Sequence, residues 1–541
     1  MSTEVLPRTR STALTWNPDG ESAVFAGAGM VELAARIREP VYIVTTDHRP
    51  EIGVAVGGTV TAPGTGPYRV AGLLPPLHPE WLGDRSFGET HGARFPYIAG
   101  EMANGIATTT MVIAIARAEM MGFFGAAGLA PARVADAVAE LGAALPDRSN
   151  WGVNLIHSPA EPATEEAVAD LLLAHHVPAV SLSAFMDLTP AAVRVAASGL
   201  TQDAQGRIRR PRNVFAKVSR PEVAAHFMAP APAELLRGLV DRGRLSSAEA
   251  DLATRVPVAE DITVEADSGG HTDNRPLTAM LPVILALRDT LARRHGYDRP
   301  IRVGAAGGLG TPGSVAAAFA LGAAYVLTGS INQSAVESGL STEGKQMLAD
   351  AGVADVAMAP AADMFEMGVK LQVLRRGTMF PLRAEQLYRI YSNHTSWAAV
   401  PERIRAKIEK TWFRTSFEQV WADTRTFWLT REPDQVARAE RDDQHRMALV
   451  FRWYLGMSSR WAIEGESTRR GDYQIWCGPA MGAFNQWTED GFLADPVNRS
   501  VVQIARNLLE GAAAITRAQQ LRSCGVAVPE GAFAFAPRDL C

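Results

Sequence analysis

The sequence predicts an α/β protein built on a closed (β/α)8 barrel, with a small N-terminal accessory domain and a mostly helical C-terminal region. Eight short apolar runs alternate with alanine-rich helical stretches over about 240 residues, which matches the count and length of such a barrel. Near-continuous apolar strands separated by helices are typical of a parallel sheet covered on its outside. The predicted strands are 97–99, 122–125, 151–156, 179–182, 214–218, 262–266, 301–305 and 325–328.

Composition divides the chain into three predicted domains. Residues 1–92 are rich in glycine and proline, contain short strand-like runs and form the accessory domain. Residues 93–335 hold the barrel strands, and residues 336–541 are mostly helical and contain most of the tryptophans. The first domain contains no recognisable catalytic or binding motif, so the candidate functional residues lie in the barrel.

Charge and composition exclude several classes of protein. The chain has 541 residues with 58 acidic and 53 basic side chains, and a nucleic-acid-binding protein normally has a strong basic excess. No apolar stretch approaches the ~20 residues that span a bilayer, and the N-terminus lacks the apolar core of a signal peptide. The three cysteines, Cys477, Cys524 and Cys541, lack metal-ligand spacing. We therefore expect a soluble cytoplasmic protein with reduced thiols, no metal site and no membrane or nucleic-acid partner.

Two glycine turns near the end of the barrel predict a phosphate site. Residues 301–313 read Ile-Arg-Val-Gly-Ala-Ala-Gly-Gly-Leu-Gly-Thr-Pro-Gly, and the next strand ends in Thr-Gly-Ser. Gly307 and Gly308 tolerate positive φ and let backbone N–H groups approach an anion, and Gly329 and Ser330 present a second set of amides. The loops after strands seven and eight are the usual phosphate site of these barrels, which favours a barrel over the competing open, doubly wound sheet. The motif alone fits sugar phosphates, nucleotides and FMN.

A polar cluster follows the sixth strand. Residues 262–276 read Ile-Thr-Val-Glu-Ala-Asp-Ser-Gly-Gly-His-Thr-Asp-Asn-Arg-Pro, and catalytic groups lie at the C-terminal ends of barrel strands. The paired glycines leave room for a flat ring or a substrate chain. His271 exchanges a proton near neutral pH because its unperturbed pKa is ~6.5. We predict that His271 is catalytic and that Asp267 or Asp273 orients it.

The histidine and glycine motifs together resemble the trans-acting, PfaD-type enoyl reductases of polyunsaturated fatty acid synthases and of polyketide synthases lacking integrated acyltransferases. The broader superfamily includes FabK-type enoyl reductases and nitronate monooxygenases, and its usual histidine motif is Glu-Ala-Gly-Gly-His. Here Asp267 and Ser268 stand in addition, which separates the chain from ordinary nitronate oxidation. Other segments that resemble the PfaD-type family are 96–105, 363–370, 451–461 and 473–482.

The resemblance implies an FMN site with His271 as the catalytic residue beside it. Two of the implied FMN contacts have a structural alternative. Asn154 would equally suit a cap at the end of a strand, and Lys217 would equally suit an ion pair inside the barrel. The phosphate would lie against Gly307, Gly308, Gly329 and Ser330. The other FMN contacts that the resemblance implies are Ala99, Gly100, Met102, Asn154, Lys217, Glu265, Ser268, Gly269 and Gly270.

The resemblance also implies a reaction and a partner. NADPH (or NADH) would reduce FMN and leave, and an enoyl thioester on an acyl carrier protein would then receive a hydride at its β-carbon and a proton at its α-carbon. His271 would donate that proton or polarise the thioester carbonyl, and the sequence does not separate these roles. Residues 370–410 carry nine basic side chains against three acidic ones, so this stretch would either dock an acidic carrier protein or form an ordinary solvated face.

Two alternative functions stay open on the sequence. One is a nitronate monooxygenase-like flavin oxidase, and the other is a non-catalytic FMN-binding scaffold of a synthase. An enzyme like inosine-monophosphate dehydrogenase would need a cysteine shortly after the phosphate glycines, but no cysteine precedes Cys477. The sequence also leaves open the acyl substrate, the choice between NADPH and NADH, and the oligomeric state, including a homodimer.

Overall fold

The computed structural model describes residues 13–159 and 161–540. Residues 1–12, on which the expectation of no signal peptide rests in part, and Cys541 lie outside the described residues. Backbone contacts divide the chain into two compact units. The smaller unit comprises residues up to 82, 312–317 and 506–537, and the larger unit comprises the remainder.

The strands are β1 (Thr15–Asn17), β2 (Val41–Thr46), β3 (Arg49–Val56), β4 (Thr59–Thr61), β5 (Tyr68–Leu74), β6 (Tyr97–Ala99), β7 (Met121–Phe124), β8 (Trp151–Ile156), β9 (Ala179–Ser183), β10 (Thr201–Gln202), β11 (Ile208–Arg209), β12 (Asn213–Val218), β13 (Asp261–Glu265), β14 (Gly270–His271), β15 (Arg302–Ala306), β16 (Val326–Thr328), β17 (Val356–Pro360) and β18 (Lys370–Leu374). The helices are α1 (Ala28–Ala35), α2 (Arg85–His91), α3 (Thr109–Arg117), α4 (Pro131–Ala144), α5 (Pro162–Ala174), α6 (Pro190–Ala197), α7 (Pro221–Met228), α8 (Ala233–Asp241), α9 (Ser247–Ala253), α10 (Leu277–His295), α11 (Pro312–Ala320), α12 (Thr342–Ala349), α13 (Phe380–Asn393), α14 (Glu402–Lys407), α15 (Phe417–Arg431), α16 (Pro433–Ala439), α17 (Asp443–Glu464), α18 (Ala480–Thr488) and α19 (Val501–Ser523).

The smaller unit is built on a five-stranded antiparallel sheet in the order β3-β2-β5-β1-β4. Its core joins Met30 and Leu33 of α1 to Ala518 and Leu521 of α19. The strand-like runs of the N-terminal sequence are therefore real strands. The C-terminal part of α19 belongs to the same core, which the sequence did not indicate.

The larger unit contains the predicted (β/α)8 barrel. Eight parallel strands close in the order β6-β7-β8-β9-β12-β13-β15-β16, and β16 pairs with β6 through Val326 and Tyr97. Each strand lies within one residue of its predicted bounds. The barrel strands are almost wholly buried because helices cover their outer side. The barrel prediction is confirmed, and the open doubly wound sheet is excluded.

Aromatic side chains fill the N-terminal end of the barrel. Phe87, from the helix before the first barrel strand, stacks on Tyr325 with ring centroids 4.8 Å apart. Phe123 meets Phe215 edge to face at 5.1 Å, and all four rings belong to one buried cluster. This packing closes that end, so a ligand site must lie at the carboxyl ends of the strands.

The region after the barrel is mostly helical, as predicted, but it also contains β17 and β18, which the sequence analysis did not predict. These strands are antiparallel to each other. In addition, β18 pairs with β14, which lies in the segment 266–276 that carries His271, called the histidine loop below. In that pairing Gly270 lies opposite Gln372 and His271 opposite Leu371. The partner of β18 is thus about a hundred positions away, which a local sequence pattern does not show.

Within the described ranges, no helix combines the length and the apolar character that a membrane span requires. Nor do these described ranges contain a group of three or more His, Cys, Asp or Glu side chains arranged to hold a metal ion. Cys477 is buried, Cys524 is exposed, and both are free thiols.

Candidate active site

The carboxyl ends of the barrel strands open into a cavity of about 890 Å³, a size typical of small-molecule sites. Ala99 and Gly100 do not contribute to its described lining. Gly100 instead packs on β16, where an added Cβ would lie 2.5 Å from Leu327 Cδ2. The other predicted site residues all line the cavity, namely Met102, Asn154, Lys217, Glu265, Ser268, Gly269, Gly270, His271, Gly307, Gly308, Gly329 and Ser330.

The two glycine turns form one wall of the cavity. Gly307 and Gly308 have φ of 86° and 71°, a region that side-chain-bearing residues seldom adopt. A Cβ on Gly307 would lie 2.7 Å from the carbonyl carbon of Ala266, so this turn is pressed against the histidine loop. A Cβ on Gly308 or Gly329 would meet no atom within 4 Å, so these backbones are open to an incoming group. The turns therefore offer accessible main-chain amides.

The histidine loop is held from outside the barrel. Gln372 of β18 donates from Nε2 to Asp267 Oδ1 at 2.7 Å and to the Ser268 carbonyl at 2.7 Å. A Cβ on Gly269 would lie 2.8 Å from the backbone nitrogen of Cys477, so only glycine allows this approach. The two additional residues of the motif, Asp267 and Ser268, are thus the ones that Gln372 fixes.

The carboxylate beside His271 is Asp363, and neither of the two predicted aspartates occupies that place. His271 Nε2 lies 3.3 Å from Asp363 Oδ1. Asp267 is bound by Gln372, and Asp273 pairs with Arg220 at 2.6 and 2.9 Å. The expectation that Asp267 or Asp273 orients the imidazole is therefore wrong. Both aspartates are close in sequence, but the loop turns them toward other partners.

Asp363 changes the protonation of His271. Burial opposes the charged imidazolium, but the negative charge of Asp363 and its hydrogen bond outweigh burial and raise the pKa of His271 above its ordinary value. The same pairing lowers the pKa of Asp363 in spite of its own burial. His271 therefore keeps its proton to a higher pH than a free histidine.

Lys217 lies between two carboxylates at the base of the cavity. Its Nζ is 3.1 Å from Glu265 Oε1 and 3.4 Å from Glu101 Oε1. Burial disfavours the ammonium, but the two carboxylates outweigh that cost and raise the pKa of Lys217. Ser181 and Ser183 donate to Glu101 at 3.0 and 2.7 Å. Lys217 thus takes part in the ion-pair arrangement that the sequence allowed, with a side chain that also lines the cavity.

Asn154 ties two barrel strands together. Its Oδ1 accepts from the backbone N–H of Ala126 at 2.7 Å, just beyond the end of β7. This bond agrees with the strand-end interpretation of Asn154. Because the oxygen is occupied, the amide nitrogen is the group that remains for a ligand.

Three residues of the site were missed by the sequence analysis: Glu101, Asp363 and Gln372. Glu101 had a usable signal, since it is a carboxylate just after the first barrel strand, where catalytic groups lie. Asp363 had only the family resemblance of the segment 363–370, which gave it no role. Gln372 had no signal, because it lies after the barrel and reaches the site through the pairing of β14 with β18.

Comparison with known proteins finds relatives in polyketide and polyunsaturated fatty acid biosynthesis. It is 36% identical to the enoyl reductase domain of MlnA from the macrolactin biosynthesis cluster of Bacillus amyloliquefaciens, a crystal structure that superposes with a TM-score of 0.78 over 82% of this chain and 99% of that domain. It is 45% identical over 466 residues to a polyunsaturated fatty acid synthase subunit of Thraustochytrium sp., and 42% identical over 430 residues to polyketide biosynthesis protein PksE of Bacillus subtilis.

These alignments cover 84% and 80% of this chain. The chain spans 31% of the length of the fatty acid synthase subunit and 56% of that of PksE. Within the helical region, residues 394–473 match the family model of the inserted helical domain of [acyl-carrier-protein] S-malonyltransferase.

Proposed function

Because the chain belongs to the PfaD-type enoyl reductase family, we propose that it is a trans-acting, FMN-dependent enoyl reductase. In this proposal it reduces the α,β-double bond of enoyl thioesters on an acyl carrier protein, in polyketide or polyunsaturated fatty acid biosynthesis, with NADPH or NADH as the hydride donor. The observation that carries it is a single cavity that holds both the open glycine turns and the His271–Asp363 pair.

The residues of the cavity fit FMN. The backbones at Gly308 and Gly329 are open, and their amides suit the phosphate of such a ligand. Lys217 and the amide nitrogen of Asn154 would contact its polar parts, and Gly270 leaves space beside His271, since a Cβ there meets nothing within 4 Å. When bound, FMN supplies the hydride chemistry that amino-acid side chains cannot.

The protein's own contribution is to hold the substrate and to manage protons and charge. With its pKa raised by Asp363, His271 carries a proton that it either donates to the α-carbon or shares with the thioester oxygen. Lys217 keeps a fixed positive charge at the base of the cavity. Closed packing at the far end of the barrel means that both reactants enter through the same opening.

An absorbance experiment tests the proposal. The purified protein should show a flavin spectrum that bleaches on anaerobic addition of NADPH and returns when a crotonyl-loaded carrier protein is added. Oxygen uptake with a nitronate, with no reoxidation by the crotonyl carrier, would instead indicate the flavin-oxidase alternative. A bound flavin that NADPH never bleaches would indicate a scaffold.

Substitution of Gly308 should weaken flavin retention. A methyl group in Gly308→Ala would project into the open space that the phosphate needs, and we expect a clear drop in the flavin-to-protein absorbance ratio after gel filtration. Gly243→Ala is the matched control, since Gly243 also has positive φ (64°) and free space around its Cβ position, but does not line the cavity. Both variants carry the same backbone cost, ~1–2 kcal/mol. An equal loss of flavin in both would contradict the phosphate site.

Carrier docking is proposed on exposed cations of the basic stretch 370–410. Several of its side chains are already engaged: Lys370 and Arg389 with Glu385, Arg376 with Asp355, and Arg383 with Asp472. Arg403 and Lys407 of α14 are exposed and form no salt bridge with a described residue, so these two are the better candidates for contact with an acidic carrier.

Reversing these two charges should weaken carrier recognition. We expect Arg403→Glu/Lys407→Glu to raise the KM for the loaded carrier about 2- to 30-fold, since two exposed charge pairs are together worth ~0.4–2 kcal/mol. Higher ionic strength should raise the wild-type KM in the same direction. Arg237→Glu, an exposed cation on α8, is the control. A salt-insensitive KM would argue that the stretch is an ordinary solvated face.

A further inference from the structure

The cavity extends well beyond the glycine turns and the histidine loop. Its far wall comes from α15 and α17, which contribute apolar side chains such as Phe427, Trp428 and Trp453. These helices lie within the segment 394–473 that matches the inserted helical domain. The helical region therefore supplies a part of the cavity to which the proposed mechanism assigns no role.

Among the described residues, the cations of this cavity are paired with carboxylates, with one exception. Lys217 binds Glu101 and Glu265, Arg431 binds Glu161 at 2.9 Å, and Arg460 binds Glu464 at 2.7 Å. The two cavity histidines, His157 and His271, face Glu165 and Asp363. Among the lining cations that the structure describes, Arg452 alone has no salt bridge.

Arg452 is held in place without a polar partner. Its guanidinium lies over the ring of Trp428, 5.1 Å from the centroid, and its buried Nε has no hydrogen-bond acceptor. Burial lowers the pKa of Arg452 from its usual value, and the nearby carboxylates of Glu366 and Asp363 act on it only at a distance. Arg452 is half-buried, and a cation held partly out of water without a counter-charge is costly, so a complementary anion would be bound strongly here.

We propose that Arg452 binds a phosphate group of the ligand whose reactive end lies at His271. Arg452, Asp363 and His271 line the same cavity, so one bound molecule would reach both Arg452 and His271. A guanidinium matches the geometry of a phosphate with two parallel hydrogen bonds. The inference rests on the proposed function, in which both reactants carry phosphates: the nicotinamide dinucleotide and the phosphopantetheine arm of the carrier.

Binding measurements on the purified protein test this assignment directly. NADP⁺ and free 4′-phosphopantetheine are titrated separately by calorimetry into wild type, Arg452→Gln and Arg460→Gln. We expect Arg452→Gln to raise the Kd of at least one probe about tenfold or more, the effect of losing a charge-assisted hydrogen bond. Arg460→Gln, which removes an equal charge from the same wall and helix but from a side chain already paired with Glu464, should change little.

The probe that is affected identifies the source of the phosphate. A loss confined to NADP⁺ assigns Arg452 to the dinucleotide, and a loss confined to phosphopantetheine assigns it to the carrier arm. Equal losses in Arg452→Gln and Arg460→Gln, unchanged affinities, or no binding of either probe to wild type would overturn the proposal. Arg452→Lys keeps the positive charge but loses the paired hydrogen bonds of the guanidinium, so it should recover part of the affinity. Such recovery would show that the loss in Arg452→Gln does not come from misfolding.

Activity separates this inference from the function on which it rests. A wild type that reduces crotonyl thioesters while Arg452→Gln binds both probes normally would overturn only the role of Arg452. A wild type that lacks enoyl reduction would overturn the proposed function, and the calorimetric result for Arg452 would still be decisive by itself.

Discussion

Replacement of His271 by alanine should lower the rate of enoyl reduction by about 10²- to 10⁴-fold, the usual contribution of general acid–base catalysis. The variant should keep its flavin, because the open backbones at Gly308 and Gly329 that would hold it are not altered by the substitution. NADPH should still bleach that flavin at close to the wild-type rate. Stopped-flow measurement of the two half-reactions checks this, since only reoxidation by the crotonyl carrier should slow.

A second cavity histidine provides the control for this prediction. His157 lies 3.0 Å from Glu165 and stacks on Phe185, at a distance from the histidine loop in the sequence. His157→Ala should lower the rate less than tenfold. If His271→Ala turned over at the wild-type rate, the catalytic assignment would be wrong.

The pH profile tests the role of Asp363 in the same reaction. Because Asp363 raises the pKa of His271, the protonated imidazole persists to higher pH in wild type. A step that needs this proton should proceed below the raised pKa and fall as the pH rises through it. In Asp363→Asn the fall should move to lower pH. An alkaline limb that stays in place would contradict the role of Asp363 in keeping His271 protonated.

Loss of the buried carboxylate Asp261 should cost the barrel about 3–5 kcal/mol of stability, the usual result of breaking a buried ion pair from one side. Asp261 receives two hydrogen bonds from Arg302, at 2.6 and 2.7 Å, and lies 3.2 Å from His91 Nε2. All three side chains are buried at the N-terminal end of the barrel. Asp261→Asn keeps the shape but removes the carboxylate that pairs with the Arg302 guanidinium.

Denaturant unfolding measures this effect. The midpoint should fall strongly in Asp261→Asn and little in Glu440→Gln, which breaks the exposed pair with Arg425 and should cost at most ~1 kcal/mol. Similar shifts in the two variants would contradict the importance of the buried pair.

Acid should remove the same stabilisation in wild type. Burial opposes the carboxylate, but His91 and Arg302 outweigh it and lower the pKa of Asp261 to about 2. The unfolded chain has a carboxyl pKa of ~3.9, so the contribution of Asp261 is complete above that pH and is lost as the pH falls toward about 2. Asp261→Asn should lack this part of the acid dependence.

The amino-acid sequence by itself determined the barrel and the two motifs at its mouth. Apolar runs of strand length and helical periodicity are local properties, which is why all eight barrel strands lie where they were predicted. Glycines at Gly307, Gly308 and Gly270 are likewise readable, because positive φ is a requirement of single residues. The position of His271 at the mouth of the barrel was predictable because its motif directly follows a barrel strand.

Only the tertiary structure decided which side chains complete the site. Asp363 reaches His271 across 92 positions, and Gln372 reaches Asp267 across 105. Arg452 enters the cavity from a helix that has no counterpart in the barrel itself. Such contacts depend on how strands β14 and β18 pair and how α17 packs, and no local pattern of residues encodes them. The charge that each group carries follows from those neighbours, so it too is a property of the folded chain.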